Sequence, residues 1–196
     1  ANDGWIDLRT LTGGITSAAD ATINSIAIGK GANSVAGNTV LGETALDASV
    51  SGGNNTAIGK DALTALTSGA DNLAVGKGSL KANTTANQNT GVGTNSLFAN
   101  STGANNTGLG YNSLVANTTG AQNVALGSIA LTANTTANNN TAIGYLALSA
   151  NTTGTPNTAV GASALDANTT GNNNVCIGAG ALGLNTTGSF NTALGT

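Results

Sequence analysis

One spacing governs this chain: an aliphatic residue followed by glycine returns every 17 residues, at Gly42, Gly59, Gly76, Gly93, Gly110, Gly127, Gly144, Gly161, Gly178 and Gly195. Repetition at so short a period signals stacked units, each too small to bury an apolar face alone. An earlier aliphatic-glycine pair ends at Gly29, 13 residues before Gly42, and reads as a shorter first copy.

The repeat carries more than glycine. Four residues before each glycine stands asparagine: Asn38, Asn55, Asn72, Asn89, Asn106, Asn123, Asn140, Asn157, Asn174 and Asn191. Four residues after it stands leucine, from Leu46 and Leu63 to Leu165 and Leu182, each preceded by Ala or Ser. A polar stretch follows, typically Ala-Asn-Thr-Thr-Gly as at Ala116 to Gly120. Seventeen residues are too few for a helical hairpin, since an average helix alone takes about 11. Alternation in Asn140-Thr-Ala-Ile-Gly144 reads as a strand, and Asn-Thr-Thr-Gly has turn chemistry. The expectation is a coil of two strands of four or five residues and two tight turns.

Coils of this kind stack with a strand spacing of about 4.8 Å, so like residues form rows along an axis. The ten asparagines are then expected to form a hydrogen-bonded amide ladder, and the Leu and Ile/Val/Leu rows a narrow continuous core. Repeated charge would face its own copy, which destabilises, and only 7% of the residues are charged, against about 25% in ordinary domains. The fold class expected is all-β: a parallel β-solenoid of about ten 17-residue coils over residues 29–196. Residues 1–28, with Trp5, Ile6, Leu8, Leu11 and Ile15, read as a cap or junction. Ending in mid-coil at Thr196, the rod is expected to continue or to dock end to end into a filament.

Charges fall at variable positions just after the glycine or beside the leucine, as at Glu43, Asp47, Lys60, Lys77, Lys81 and Asp166, with Tyr111, Tyr145 and Phe98 in the same places. These positions are the expected exposed rim, and Tyr111 and Tyr145 are its candidate ligand-facing residues, able to stack on sugar rings. A longer period overlies the short one. The threonine three before each glycine is replaced by Leu73, Val124 and Val175, each 51 residues from the next. Because a thin roll buries little apolar surface by itself, several chains are expected to associate. The small residues two before each glycine (Ala57, Ala74, Gly91, Gly108 and their equivalents) would let backbones approach, with Cys176 filling one of these slots.

Two segments, Asn24-Ser-Ile-Ala-Ile-Gly29 and Asn55-Thr-Ala-Ile-Gly59, resemble the Asn-Ser-x-Ala-Ile-Gly signature of trimeric autotransporter adhesin heads. The fuller unit Asn140-Thr-Ala-Ile-Gly-Tyr-Leu-Ala-Leu-Ser-Ala-Asn-Thr-Thr-Gly154 is similar to repeats of phage tail-fibre proteins. The resemblance covers residues 24–196. It implies a left-handed β-roll, a homotrimeric fibre, and a setting that is extracellular, on a cell surface or on a virion tail.

Chemistry is otherwise sparse. Histidine is absent and Cys176 is the lone cysteine, which leaves no disulfide or zinc set. No cofactor is expected: Gly178-x-Gly180-x-x-Gly183 lies inside the repeat without a βαβ context. Five basic residues make no patch for nucleic acid, and no apolar run of membrane-spanning length occurs. The Asn-Thr-Thr segments at Asn83, Asn117, Asn134, Asn151, Asn168 and Asn185 match the glycosylation pattern but are explained by turn chemistry. Asp61 and Asp71, a conceivable carboxylate pair, occur in one unit only and read as solvated charges. The expectation is therefore no enzyme, but a structural or adhesive fibre segment that attaches, through a glycan or protein receptor, or spaces. An ice-binding solenoid is the alternative, and a polysaccharide-active β-helix a third.

Overall fold

The computed structural model describes residues 21–23 and 26–196. Twelve strands make one sheet in chain order: β1 (Ala21–Ile23), β2 (Ile26–Gly29), β3 (Thr39–Gly42), β4 (Thr56–Ile58), β5 (Leu73–Val75), β6 (Thr90–Val92), β7 (Thr107–Leu109), β8 (Val124–Leu126), β9 (Thr141–Ile143), β10 (Asn157–Val160), β11 (Asn174–Ile177) and β12 (Thr192–Leu194). From β3 onward every neighbour is parallel, and paired residues are one repeat apart, as in Thr39↔Thr56 and Cys176↔Ala193. The chain is a parallel β-solenoid with one turn per 17-residue repeat.

Each turn holds one strand, not two. The leucine-bearing half, expected as a second strand, is a chain of linked turns. Ser79 N–H closes on Gly76 O and Asn83 N–H on Leu80 O. The reason is the backbone of the leucines: Leu46, Leu63, Leu80, Leu97, Leu114, Leu131, Leu148, Leu165 and Leu182 all have φ between 48° and 54°. Left-handed φ bends the chain where an extended residue would run straight. It costs an L-residue about 1–2 kcal/mol, while full burial of a leucine side chain stabilises by about 1.5–3 kcal/mol. Burial is complete for the first eight of these leucines, so the bend is held by the side chain it turns inward. Turn-to-turn hydrogen bonds persist here without a strand: Leu97 N–H donates to Ser113 O at 2.9 Å and Leu148 N–H to Ala164 O at 3.0 Å.

The interior is narrower than expected. It consists of the leucine row, the Ala or Ser before each leucine, the small row of the strand (Val40, Ala57, Ala74, Gly91, Gly108, Ala125, Ala142, Ala159, Cys176) and the asparagines. The Ile/Val/Leu row before each glycine is not core. Strand side chains alternate, so where the asparagine and the small residue point in, the threonine and the aliphatic point out. Leu41 is 44% exposed, Leu109 45% and Ile177 44%. The small residues likewise let one chain wind thinly rather than letting separate backbones meet.

Glycine ends each strand for a steric reason. Gly144 has φ 133°, and a Cβ there would stand 2.4 Å from the carbonyl oxygen of Gly161 one turn on. At the start of the solenoid, β2 pairs antiparallel with β3, with Ala27↔Gly42 and Gly29↔Val40 in register, and β1 pairs antiparallel with β2. The Gly29 segment is thus not a short first turn. It is a strand laid in reverse on the first one. Trp5, Ile6, Leu8, Leu11 and Ile15 lie outside the described residues.

Candidate functional site

Two amide rows run through the rod. In the first, each backbone N–H from Asn55 to Asn191 donates to Oδ1 of the asparagine one turn earlier, at 2.8–3.0 Å in all nine steps. Each Nδ2 from Asn38 to Asn174 donates to a backbone carbonyl 14 residues on, at 2.7–3.1 Å. The ten asparagines are brought into line, and they are bonded through backbone as much as to one another.

The second row consists of Asn83, Asn100, Asn117, Asn134, Asn151, Asn168 and Asn185. From Asn117 on, each Nδ2 donates to the preceding Oδ1, at 2.7 Å for Asn117 to Asn100 and 3.3 Å for Asn185 to Asn168. Each Nδ2 also reaches the carbonyl three residues ahead, so that Gly120 O accepts from both Asn106 and Asn117. Both lone pairs of a buried carbonyl are thereby used. All of these but Asn100 are the asparagines of the Asn-Thr-Thr segments. Asn83, Asn117, Asn134, Asn151 and Asn168 are fully buried, so in the folded rod no enzyme can reach their amides. The sequence signal for this row, a second asparagine at the 17-residue period, was absorbed by its turn chemistry. In the second turn buried Leu66 stands in its place.

The outer strand face carries two rows. One is aliphatic in all ten turns: Leu41, Ile58, Val75, Val92, Leu109, Leu126, Ile143, Val160, Ile177 and Leu194. The other is threonine, except at Leu73, Val124 and Val175. All of these side chains are half-buried or exposed, and none is charged.

Charge gathers on the rim of the early turns. Lys60 Nζ meets Glu43 at 2.9 Å; the hydrogen bond, and then the charge of Glu43, hold the ammonium above its ordinary pKa. Asp61 accepts from the Thr44 hydroxyl and from Lys81 Nζ at 3.2 Å. The Thr44 bond is the main cause that holds its carboxyl below the ordinary value, against partial desolvation. Lys81 also lies 5.8 Å from the centre of the Phe98 ring, within cation–π range. Asp71 accepts from Asn54, so the two aspartates serve separate local contacts. Beyond Lys81 the only charge is Asp166. Tyr111 and Tyr145, 53% and 54% exposed, share one rim column with Ser128 between them. Asn112, beside Tyr111, has a buried Oδ1 without a hydrogen-bond partner.

The opposite edge is polar. In most turns the first hydroxyl residue of the pair is tied down, donating to the next turn, as Thr118 does to Thr135 O at 3.0 Å. The other forms an exposed row: Ser68, Thr85, Thr102, Thr119, Thr136, Thr153, Thr170 and Thr187. Among the described residues no three His, Cys, Asp or Glu gather as metal ligands, and no helix is long and apolar enough to cross a membrane. No family model, curated protein or solved structure matches the chain.

Proposed function

We propose that this chain is a rod segment of an extracellular fibre, in which parallel copies turn their outer strand faces to a common axis. The observation that carries this is the uncharged aliphatic row repeated in all ten turns on a face that a single chain leaves uncovered. Contiguous exposed apolar surface marks an interaction site. A row repeating at about 4.8 Å is matched rung for rung only by a surface of the same period. A copy of this chain has that period, and uncharged rows meeting themselves meet no repulsion. The left-handed winding, the number three and the setting on a cell surface or virion tail come from the resemblance to adhesin heads and tail fibres. The rod's role is to space or to attach; Tyr111 and Tyr145, two turns and about 9.6 Å apart on one column, are the candidate contacts for a glycan. The surface of the described residues repeats from turn to turn, which supports a structural role.

Light scattering tests the reading. The expected mass is three times the 18.7 kDa of one chain. The double variant Leu109→Glu, Ile143→Glu should fall to one chain while keeping its β-type circular dichroism. A wild-type chain that is folded and single at tens of micromolar overturns the proposal. For the attachment role, glycan-array binding that survives Tyr111→Ala with Tyr145→Ala removes the rim from consideration.

The exposed hydroxyl row from Ser68 to Thr187, uninterrupted over eight turns, favours ice binding as a second reading. Thermal hysteresis abolished by Thr119→Tyr would move the conclusion there.

A further inference from the structure

The aliphatic row leaves one question of assembly open, and the neighbouring row answers it. Two rods that meet along identical rungs can slide by one turn, about 4.8 Å, and meet identical rungs again. Register is weakly specified when the pattern is uniform. An aliphatic row present in every turn therefore joins copies without aligning them.

The threonine row is not uniform. Seven turns carry Thr39, Thr56, Thr90, Thr107, Thr141, Thr158 and Thr192, and three carry Leu73, Val124 and Val175. These three are spaced by 51 residues, three turns. They point outward from the same strands as Val75, Leu126 and Ile177, and Val175 is 38% exposed. Within one chain an apolar residue gains little there, since the interior lies on the other face and is closed by Ala74, Ala125 and Cys176. In these three turns the outer face is apolar across both outward positions, whereas elsewhere it is half hydroxyl.

We propose that Leu73, Val124 and Val175 are register marks that set the axial alignment of copies of this chain at zero stagger. This rests on the fibre reading above. In zero stagger the three apolar rungs meet their own copies, and every threonine meets threonine, which can hydrogen-bond to it. A slip of one turn sets each mark against a threonine, and a slip of two does so for every mark except one chain's Val175, which passes the last rung; either leaves hydroxyls facing aliphatic carbon in a dry contact, where an unpaired polar group is costly. A slip of three turns, about 14.4 Å, restores two of the three matches, so it is the leading competitor.

Spin-label distances between chains read the alignment directly. The label is placed on the exposed rim through Tyr111→Cys, in a Cys176→Ala background. With the marks intact, one narrow inter-chain distance population is expected. In Leu73→Thr, Val124→Thr, Val175→Thr, which gives every turn the residue that seven already carry, the distribution should at least double in width as turn-slipped populations appear. Light scattering on the same samples separates the claims. A multi-chain mass with several populations in the unmutated protein, or with one unchanged narrow population in the triple variant, overturns the register marks and leaves the fibre standing. A single-chain mass overturns both.

Discussion

Ser79 and Gly91 fit together as a pair: the Ser79 hydroxyl donates to Gly91 O at 2.9 Å, and it fills the space where a side chain at Gly91 would begin, 2.5 Å from an added Cβ. Ser96 and Gly108 repeat the arrangement one turn later, again at 2.9 Å. In most other turns the corresponding residues are both alanine, as with Ala62 and Ala74 or Ala130 and Ala142. Ser113, which faces Ala125, instead turns its hydroxyl to Gly110 O at 3.1 Å and to Ser96 Oγ at 2.9 Å. One oxygen or one methyl fits at this point of the rod, not both. Gly91→Ala alone should therefore cost about 1–3 kcal/mol by overpacking. Ser79→Ala with Gly91→Ala should recover most of it, a coupling of at least about 1 kcal/mol in a double-mutant cycle. Additive losses by denaturant unfolding would show that the two sites do not share the space.

The strand-ending glycine is less forgiving. At Gly144 both the φ of 133° and the Gly161 carbonyl exclude a Cβ, and the obstacle is backbone of the next turn, which has nowhere to go. Gly144→Ala should cost at least about 3 kcal/mol, from strain and displacement together. A loss under about 1 kcal/mol would mean that the turns are not in van der Waals contact at this point.

The amide row predicts a position-dependent response to one chemical change. Asn117 sits within the ladder: it donates to Asn100 Oδ1 and Gly120 O and accepts from Asn134 Nδ2, which also bonds Ala137 O. Asn83 sits at its boundary, next to Leu66, and bonds only its own turn at Ala86. Asn117→Leu takes the 2.7 Å donor from Asn100 Oδ1, leaving it only Asn106 Nδ2 at 3.4 Å, and takes one of two acceptors from Asn134 Nδ2, so it should cost about 2–3 kcal/mol. Asn83→Leu extends the apolar block begun by Leu66 and strands one N–H, since Ala86 O keeps Asn72 as donor; its cost should be about half as large. Equal losses in thermal unfolding would mean that the second row contributes as separate turns rather than as a ladder.

What the residues disclosed beforehand follows from these contacts. The 17-residue period made the rod, the asparagine row and the leucine row legible, because identical residues at identical intervals have only stacking to explain them. The rest was hidden for two physical reasons. Nothing about leucine announces a left-handed φ, so the bend at Leu97 and its equivalents looked like strand. And side-chain size pointed the wrong way: Ile143 and Leu109 are the larger apolar residues of their strands, yet the turn is so thin that opposite each leucine only Ala142 or Gly108 fits. The alternation Asn-in, Thr-out, Ala-in, Ile-out was present in the sequence. It outweighs hydrophobicity when one face of the strand has almost no depth. For the candidate site, the rim of Tyr111 and Tyr145 followed from the variable positions, while the outer aliphatic face was taken for core.

Titration should leave this protein almost unmoved over a wide range. There is no histidine, the side chain that ordinarily titrates between about pH 5 and 8. Asp61 has a lowered folded-state pKa, so its contribution is present above the unfolded value, about 3.9, and is lost as pH falls through the folded one. Lys60 has a raised one, so its contribution is present below the unfolded value and lost as pH rises through the folded one. The unfolding midpoint should thus be flat between about pH 5 and 9, with small declines outside. Asp61→Asn should remove part of the acid decline and leave the plateau flat. A midpoint that drops on the plateau would require a titrating group that the described residues do not provide.

Cys176 tests whether the interior stays closed near the far end of the rod. Its thiol occupies the small row between Ala159 and Ala193 and is fully buried, and desolvation pushes its pKa above the ordinary thiol value. Since thiolate is the reactive form, burial and protonation act in the same direction. Labelling by a thiol reagent at neutral pH should be at least about 100-fold slower in the native protein than in denaturant, its rate set by local opening of the last turns. Cys176→Ala, which places here the residue most other turns carry, should change stability by less than about 1 kcal/mol. Fast native labelling would mean that β12 does not stay paired on β11, and that the rod unzips from this end without global unfolding.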